Sequence, residues 1–70
     1  MKTVKINTEY ITLGQLLKML DLISSGGEAK FFLATTTVLI NDIQEQRRGK
    51  KIYPKDRVEI LGITYKIDAK

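Results

Sequence analysis

The sequence contains neither cysteine nor histidine, which excludes two common ways of stabilising a short chain. Without cysteine no disulfide can form, and without either residue type a zinc site lacks suitable ligands. A chain of 70 residues buries only about 60% of the surface that it exposes when unfolded. We therefore expect residues 1–70 to fold as one domain around a compact apolar core, for which the 43% hydrophobic content is sufficient.

Long apolar runs are also missing. The longest aliphatic stretch, residues 13–23, is interrupted by Gln15, Lys18 and Asp21. A membrane-spanning helix needs roughly 20 consecutive apolar residues, and a signal peptide needs its own unbroken apolar segment. We therefore expect a soluble protein of the cytoplasm with no membrane partner, and the lack of cysteine fits the reducing conditions there.

The sequence also lacks recognisable catalytic groups. Its eight carboxylates are scattered, and no serine–histidine, cysteine–histidine or metal-binding constellation can be assembled from its residues. The glycine-rich signatures of nucleotide-dependent enzymes are missing as well. We expect a protein that is not an enzyme, needs no cofactor or metal and takes no small-molecule substrate.

Basic residues are in excess, with twelve Lys and Arg against eight Asp and Glu. Four of the twelve lie in Arg47-Arg48-Gly49-Lys50-Lys51, which we call the basic segment. Four positive charges so close together repel one another. The central glycine lets the backbone bend or approach a ligand closely. The cluster indicates either a solvated loop that keeps the protein soluble or a site for a polyanion, for which nucleic acid is the usual candidate.

Two capping signatures predict two short helices. Thr12, followed three residues later by Gln15, is typical of a helix start, and leucines follow on one helical face at positions 13, 16, 17 and 20. Ser25 and Glu28 repeat the signature, which predicts a second helix that ends near Ala34. The serines and glycines at positions 24–27 separate the two helices, which are predicted to form a hairpin.

Strand patterns lie on both sides of this helical pair. Polar–apolar alternation or β-branched residues predict strands at residues 2–7, 38–40, 57–60 and 63–68. Residues 41–42 and 53–56 are typical of tight turns, the latter with proline at its second position. The order indicates an α+β domain in which the two-helix hairpin packs on a small antiparallel sheet.

Four short motifs follow one another along the chain: Leu13-Gly14-Gln15-Leu16-Leu17, Ser25-Gly26-Gly27-Glu28-Ala29, Val38-Leu39-Ile40-Asn41-Asp42 and Lys55-Asp56-Arg57-Val58. In this order they resemble the αL RNA-binding fold, which is named after the fourth protein of the small ribosomal subunit and also occurs in pseudouridine synthases and tyrosyl-tRNA synthetases. The resemblance covers about residues 11–61. It is closest to the short stand-alone bacterial members of the YaaA and YbcJ type, whose pattern includes the basic segment.

The resemblance implies a non-enzymatic protein that binds structured RNA. The implied target is ribosomal RNA of the large subunit, during ribosome assembly or quality control. Thr12 and Gly26 stand where the family usually has arginines, so those two contacts do not carry over to this chain. Asp42 and Lys55 likewise replace expected glycines.

The candidate RNA-binding residues form two groups. The first is the basic segment, where arginine can fork onto two phosphate oxygens and lysine acts as a point charge. The second is the start of the second helix, where Gly26 and Gly27 either present bare backbone N–H groups to a phosphate or simply allow a turn. Lys18 and Lys30, on the polar faces of the two helices, either extend this surface or are ordinary exposed lysines.

The aromatic residues and the class of partner leave alternatives open. Tyr53 either stacks on a base or packs half-buried in its turn, whereas Phe31 and Phe32 are expected in or near the core. An adaptor that docks the basic segment on an acidic protein would bind without nucleic acid. A DNA-binding module would bind DNA and RNA duplexes equally.

Overall fold

A computed structural model describes residues 1–70 as seven strands and two helices. In chain order these are β1 (Lys2–Ile6), β2 (Ile11–Thr12), α1 (Leu13–Met19), α2 (Gly27–Thr35), β3 (Val38–Ile40), β4 (Ile43–Gln44), β5 (Lys51–Ile52), β6 (Arg57–Ile60) and β7 (Ile63–Ala69). The predicted α+β class is confirmed. Neither helix has the length and apolar character that crossing a membrane requires.

Five strands form one sheet in the order β1-β7-β6-β3-β4, and β2 pairs separately with β5. The pairs β3–β4, β3–β6 and β6–β7 are antiparallel, but β1 runs parallel to β7. The sheet is therefore mixed, and the prediction of an antiparallel sheet was wrong for β1. Polar–apolar alternation shows which face of a strand is buried but not the direction of its neighbour.

The limits of α1 follow from local signals in its sequence. The Gln15 N–H donates to the Thr12 hydroxyl at 3.2 Å, and the Thr12 N–H donates to the Gln15 side chain at 2.8 Å, which confirms the predicted capping box. At the other end Asp21 adopts a φ of 59°, and the Leu22 N–H donates to the Leu17 carbonyl at 3.0 Å. The helix thus closes with a Schellman-type ending in which aspartate takes the usual place of glycine.

The start of α2 differs from the predicted serine cap. Its N-cap is Gly26, and no side chain caps the first turn. Instead, the Glu28 carboxylate accepts hydrogen bonds from the Ser24 hydroxyl and from the N–H groups of Ser24 and Ser25, the latter two at 3.0 and 3.1 Å. These bonds, led by that from the Ser24 hydroxyl, lower the pKa of Glu28. The pair predicted as a cap therefore orders the loop before the helix.

One apolar core lies between the helices and the sheet, and no polar or charged residue is buried in the protein. Phe32 packs half-buried against this core, but Phe31 is 74% exposed, so its assignment to the core was wrong. Adjacent helical residues point about 100° apart, which lets only one of the two rings face inward. The buried residues are Ile6, Ile11, Leu13, Leu16, Leu17, Ile23, Ala29, Leu33, Val38, Ile40, Ile52, Val58, Ile60, Tyr65 and Ile67.

The predicted turn at residues 41–42 is confirmed. Asn41 and Asp42 have φ values of 51° and 70° and form the two-residue loop between β3 and β4. The Asn41 side chain donates to Asp56 at 3.1 Å and accepts from the Arg57 N–H at 3.0 Å. This asparagine therefore also fixes the entry into β6.

Lys55 should be replaceable by glycine with a gain in stability. Its φ of 81° in the turn at residues 53–56 is disfavoured for any residue with a Cβ atom, by about 1–2 kcal/mol. Glycine loses about 0.5–1 kcal/mol of this advantage through its greater freedom in the unfolded chain. We expect Lys55→Gly to raise the free energy of unfolding by about 0.5–1 kcal/mol, or roughly 4 °C in Tm. Lys55→Ala removes the same charge but keeps the Cβ atom, so equal thermal stability of the two variants would contradict the explanation.

Candidate nucleic-acid interface

The basic segment is docked on the start of α1 by backbone hydrogen bonds. The Leu13 N–H donates to the Lys50 carbonyl and the Gly14 N–H donates to the Arg48 carbonyl, each at 2.9 Å. These bonds satisfy two of the N–H groups that a helix start leaves without partners. Lys51 then begins β5, which pairs with β2. Because the docking uses the backbone of the basic segment, its side chains can face solvent, and all five residues are exposed.

Gly14 is a site residue that sequence reasoning did not single out. A Cβ atom at Gly14 would lie 3.4 Å from the Arg48 carbonyl oxygen, 3.6 Å from the Arg48 Cβ and 3.8 Å from the Ala29 Cβ. Here α1, α2 and the basic segment meet, and they leave little room for a side chain larger than that of alanine. The available signal was a glycine in the first turn of a helix, where it costs up to about 1 kcal/mol of helix propensity.

The docking creates a groove between α1, the start of α2 and the basic segment, which we call the central groove. Across it, the Arg48 Nη1 lies 3.4 Å from the Gly26 carbonyl oxygen. No acidic residue lines the groove, and four predicted site residues, Lys18, Gly26, Arg48 and Gly49, meet there. The other lining residues are Thr12, Gly14, Gln15 and Ala29.

The fold itself does not require glycine at position 26 or 27. Gly26 has a φ of −60°, which any residue adopts, and a Cβ atom there would meet nothing within 4 Å. At Gly27 the nearest atom would be the Ser25 hydroxyl oxygen, 4.0 Å away. The alternative of a turn that needs the conformational freedom of glycine therefore does not apply to Gly26.

The remaining predicted residues lie outside the central groove. Lys50 and Lys51 line a neighbouring concavity together with Tyr53. Gly27 lines a shallow depression beside the exposed Phe31, and Lys30 is exposed on α2. The sequence therefore predicted a larger set of residues than the structure brings into one groove.

Arg47 differs from the rest of the basic segment because it has a partner within the protein. Its guanidinium donates to both carboxylate oxygens of Glu45, at 2.9 and 3.2 Å, and its N–H donates to the same carboxylate at 3.0 Å. These bonds lower the pKa of Glu45 to about 2 and raise the pKa of Arg47. Arg48, Lys50 and Lys51 form no ion pair. Arg47 thus presents less uncompensated charge than the sequence analysis assumed.

The Arg47–Glu45 pair should make stability depend on pH. The pKa of Glu45 falls from 4.5 to about 2 on folding, so its ionised form stabilises the fold above pH 4.5, and this contribution is lost as the pH falls towards 2. We expect Glu45→Gln to lower the free energy of unfolding near pH 7 by up to about 1 kcal/mol, the usual limit for an ion pair at the protein surface, because the Arg47 side chain is exposed. Urea denaturation near neutral pH and near pH 2 should show the difference between the two proteins disappearing in acid. A difference independent of pH would contradict this assignment.

Tyr53 lies against a second aromatic ring that the sequence analysis missed. The rings of Tyr53 and Tyr10 have centroids 5.7 Å apart and an interplanar angle of 48°. The Lys51 Nζ lies 4.8 Å from the centroid of the Tyr10 ring. The exposed aromatic pair is therefore attached to the end of the basic segment.

Comparison with known proteins shows the family of the chain. Residues 4–68 match the family model described as S4 domain. The "Probable ribosome maturation protein RlbA" of Bacillus subtilis (strain 168) is 56% identical over 59 residues, which cover 84% of this chain and 83% of that protein. No solved structure matches the chain significantly. The resemblance that the motifs indicated is confirmed, and the chain belongs to the S4 domain family.

Proposed function

We propose that this S4 domain protein binds structured RNA in ribosome maturation and is not an enzyme. The observation that carries the proposal is the central groove, which Lys18 and Arg48 line together and which no acidic residue lines. A groove of this charge attracts a polyanion. Membership of the S4 domain family and the similarity to a relative named as a ribosome maturation protein support RNA as that polyanion.

RNA recognition by this surface would depend mainly on phosphate position. A-form RNA hides its base edges in a deep, narrow major groove, so duplex RNA is read largely by shape and by its backbone. Arg48 can donate to two oxygens of one phosphate, and Lys50 and Lys51 supply point charges beside it. Lys18 and Lys30 would add positive charge along the helices. The start of α2 contributes the positive end of a helix dipole.

Glycine at positions 26, 27 and 49 would allow the RNA backbone to come close to the protein backbone. Cβ atoms at Gly26 and Gly49 would project into open space. The packing of the fold therefore does not explain why these two positions lack a side chain. This supports close approach of a ligand at Gly26 and Gly49, which both line the central groove.

The double variant Gly26→Ala/Gly27→Ala tests close approach separately from folding. Neither alanine meets a steric conflict. Alanine is the better helix former at Gly27, whereas glycine is the better residue at the N-cap Gly26, so the two effects oppose each other and the variant should be within about 1 kcal/mol of wild-type stability. RNA affinity should fall about fivefold, which corresponds to roughly one lost hydrogen bond. Fluorescence anisotropy with a labelled RNA hairpin, together with thermal denaturation, measures both effects. Unchanged affinity would exclude close approach at these glycines.

We propose ribosomal RNA of the large subunit, in the cytoplasm, as the target. Co-sedimentation of the tagged protein with ribosomal particles at moderate salt tests this. Wild type should migrate with large subunits or their precursors in a nuclease-sensitive manner, and Arg47→Ala/Arg48→Ala should stay at the top of the gradient. The control variant Arg57→Ala/Lys66→Ala also removes two positive charges, from neighbouring positions on β6 and β7. Each of these two residues forms an ion pair with an aspartate, and the variant should migrate as the wild type does.

Each other outcome of the sedimentation experiment contradicts a defined part of the proposal. Wild type at the top of the gradient would exclude a stable ribosomal target, and migration with small subunits alone would exclude the large subunit. Association that survives nuclease treatment would favour an acidic protein partner. Wild-type migration of Arg47→Ala/Arg48→Ala would exclude these arginines as the contact.

A further inference from the structure

The largest concavity of the molecule lies beside the central groove. It runs between α1 and the loop at residues 7–10 that joins β1 to β2, and we call it the lateral groove. The two grooves share Thr12, Gln15 and Lys18. They therefore form one continuous surface, and a ligand bound in the central groove can extend into the lateral groove.

Lysines dominate the charge of the lateral groove. Lys5, Lys18 and Lys70 line it against a single acidic residue, Glu9, and none of the three lysines has an ion-pair partner. By contrast, the basic residues of β6 and β7 are each paired with an aspartate. Unpaired positive charges that converge on a concave surface favour a polyanion there as well.

An aromatic ring is held where the lateral groove meets the basic segment. Tyr10 lines the groove and is 36% exposed. Lys51 and Tyr53 contact its ring from the side of the basic segment, and the Thr8 hydroxyl donates to the Tyr10 carbonyl at 2.8 Å, which orders the loop. A positioned, exposed aromatic ring among cations is typical of surfaces on which unpaired bases stack.

We propose that the lateral groove binds a single-stranded segment of the same RNA whose helical part occupies the central groove. An unpaired base stacks on Tyr10, and the adjoining phosphates lie beside Lys5 and Lys18. This inference rests on the proposed function, because the strand continues from the bound duplex. A base paired inside a helix has both faces covered by its neighbours, so a stacking ring within the groove selects an unpaired one. The protein thus recognises a junction between duplex and single strand.

Hairpins with one common stem test the inference. One hairpin is blunt, a second carries a single-stranded extension of about six nucleotides at its 5′ end, and a third carries the same extension at its 3′ end. This length is within the range that single-strand-binding surfaces accommodate. For wild type, the better extended hairpin should bind about tenfold more tightly than the blunt one, the usual effect of one stacked base. This ratio should fall to about two or three in Tyr10→Leu, which keeps the lysines beside the phosphates, and should persist in Tyr10→Phe. The ratio is taken within each protein, so any effect of Tyr10 on duplex binding through Lys51 cancels.

Charge in the lateral groove is tested in the same way. Lys5→Gln should lower the ratio about twofold or threefold and weaken its dependence on salt, because one phosphate contact is lost. The matched control Lys66→Gln removes one charge from β7 and should leave the ratio unchanged. A fluorescent adenine analogue in the extension should be quenched by wild type and Tyr10→Phe but not by Tyr10→Leu.

The outcomes separate this inference from the proposed function. Equal affinity of wild type for blunt and extended hairpins would overturn the lateral groove as a single-strand site and leave duplex binding intact. A tenfold preference that survives Tyr10→Leu would exclude stacking on Tyr10. Failure of folded wild type to bind any of the hairpins would contradict RNA binding itself, and the inference with it.

Discussion

Replacement of Arg48 and Lys50 by alanine should weaken RNA binding about 100-fold or more, because each of the two lost hydrogen bonds to a charged group contributes about 1.5–3 kcal/mol. The slope of log affinity against log salt should become shallower by about 2, since two phosphates would keep their counterions. Neither side chain has an ion-pair partner in the protein. The docking bonds use the carbonyl groups of these residues, and the one side-chain hydrogen bond that is lost, from Arg48 to the Gly26 carbonyl, is long at 3.4 Å, so the fold should be retained.

Anisotropy titrations at several salt concentrations measure this effect, and two comparisons assign it to particular residues. Arg47→Ala should change the salt slope by less than one, because Glu45 already compensates the Arg47 charge through two side-chain hydrogen bonds. Arg57→Ala/Lys66→Ala lowers the net charge as much as the Arg48 and Lys50 replacement does, but on β6 and β7. If that control weakened binding equally, affinity would follow net charge rather than the basic segment.

The parts of the fold that could be predicted have signals contained within a few residues. The capping box of Thr12 and Gln15 fixes where α1 begins, and the pair Asn41-Asp42 tolerates the positive φ values of its turn. The order of such signals was also sufficient to indicate the family. The basic segment could be recognised because charge density is itself a property of the sequence.

The parts that could not be predicted depend on contacts between segments that are distant in the chain. The parallel pairing of β1 with β7 joins the two ends of the chain, and no local pattern specifies its direction. The exposure of Phe31 depends on which side of α2 faces the sheet. The grouping of Lys18, Gly26 and Arg48 depends on the docking of the basic segment on Gly14, which the sequence shows only as a glycine in a helix.

Gly14→Val should weaken RNA binding about tenfold or more although every charged residue is retained. A Cβ atom at this position already contacts Arg48 and Ala29 at 3.4–3.8 Å, so the added methyl groups of valine require the basic segment to move away. Overpacking of this kind costs about 1–3 kcal/mol of stability. We expect the hydrogen bond from the Gly14 N–H to the Arg48 carbonyl to be lost, and with it the alignment of Arg48 across the central groove from Gly26.

Gly14→Ala is the matched control for this prediction, because its Cβ atom makes only ordinary van der Waals contacts and its helix propensity is better by up to about 1 kcal/mol. It should bind RNA as the wild type does. Affinity and thermal stability are measured for all three proteins, with binding assayed at a temperature where each is folded. If folded Gly14→Val bound RNA with wild-type affinity and salt dependence, the charges of the basic segment would act independently of their position. Loss of binding in Gly14→Val alone would instead show that the RNA requires these charges to be held against α1.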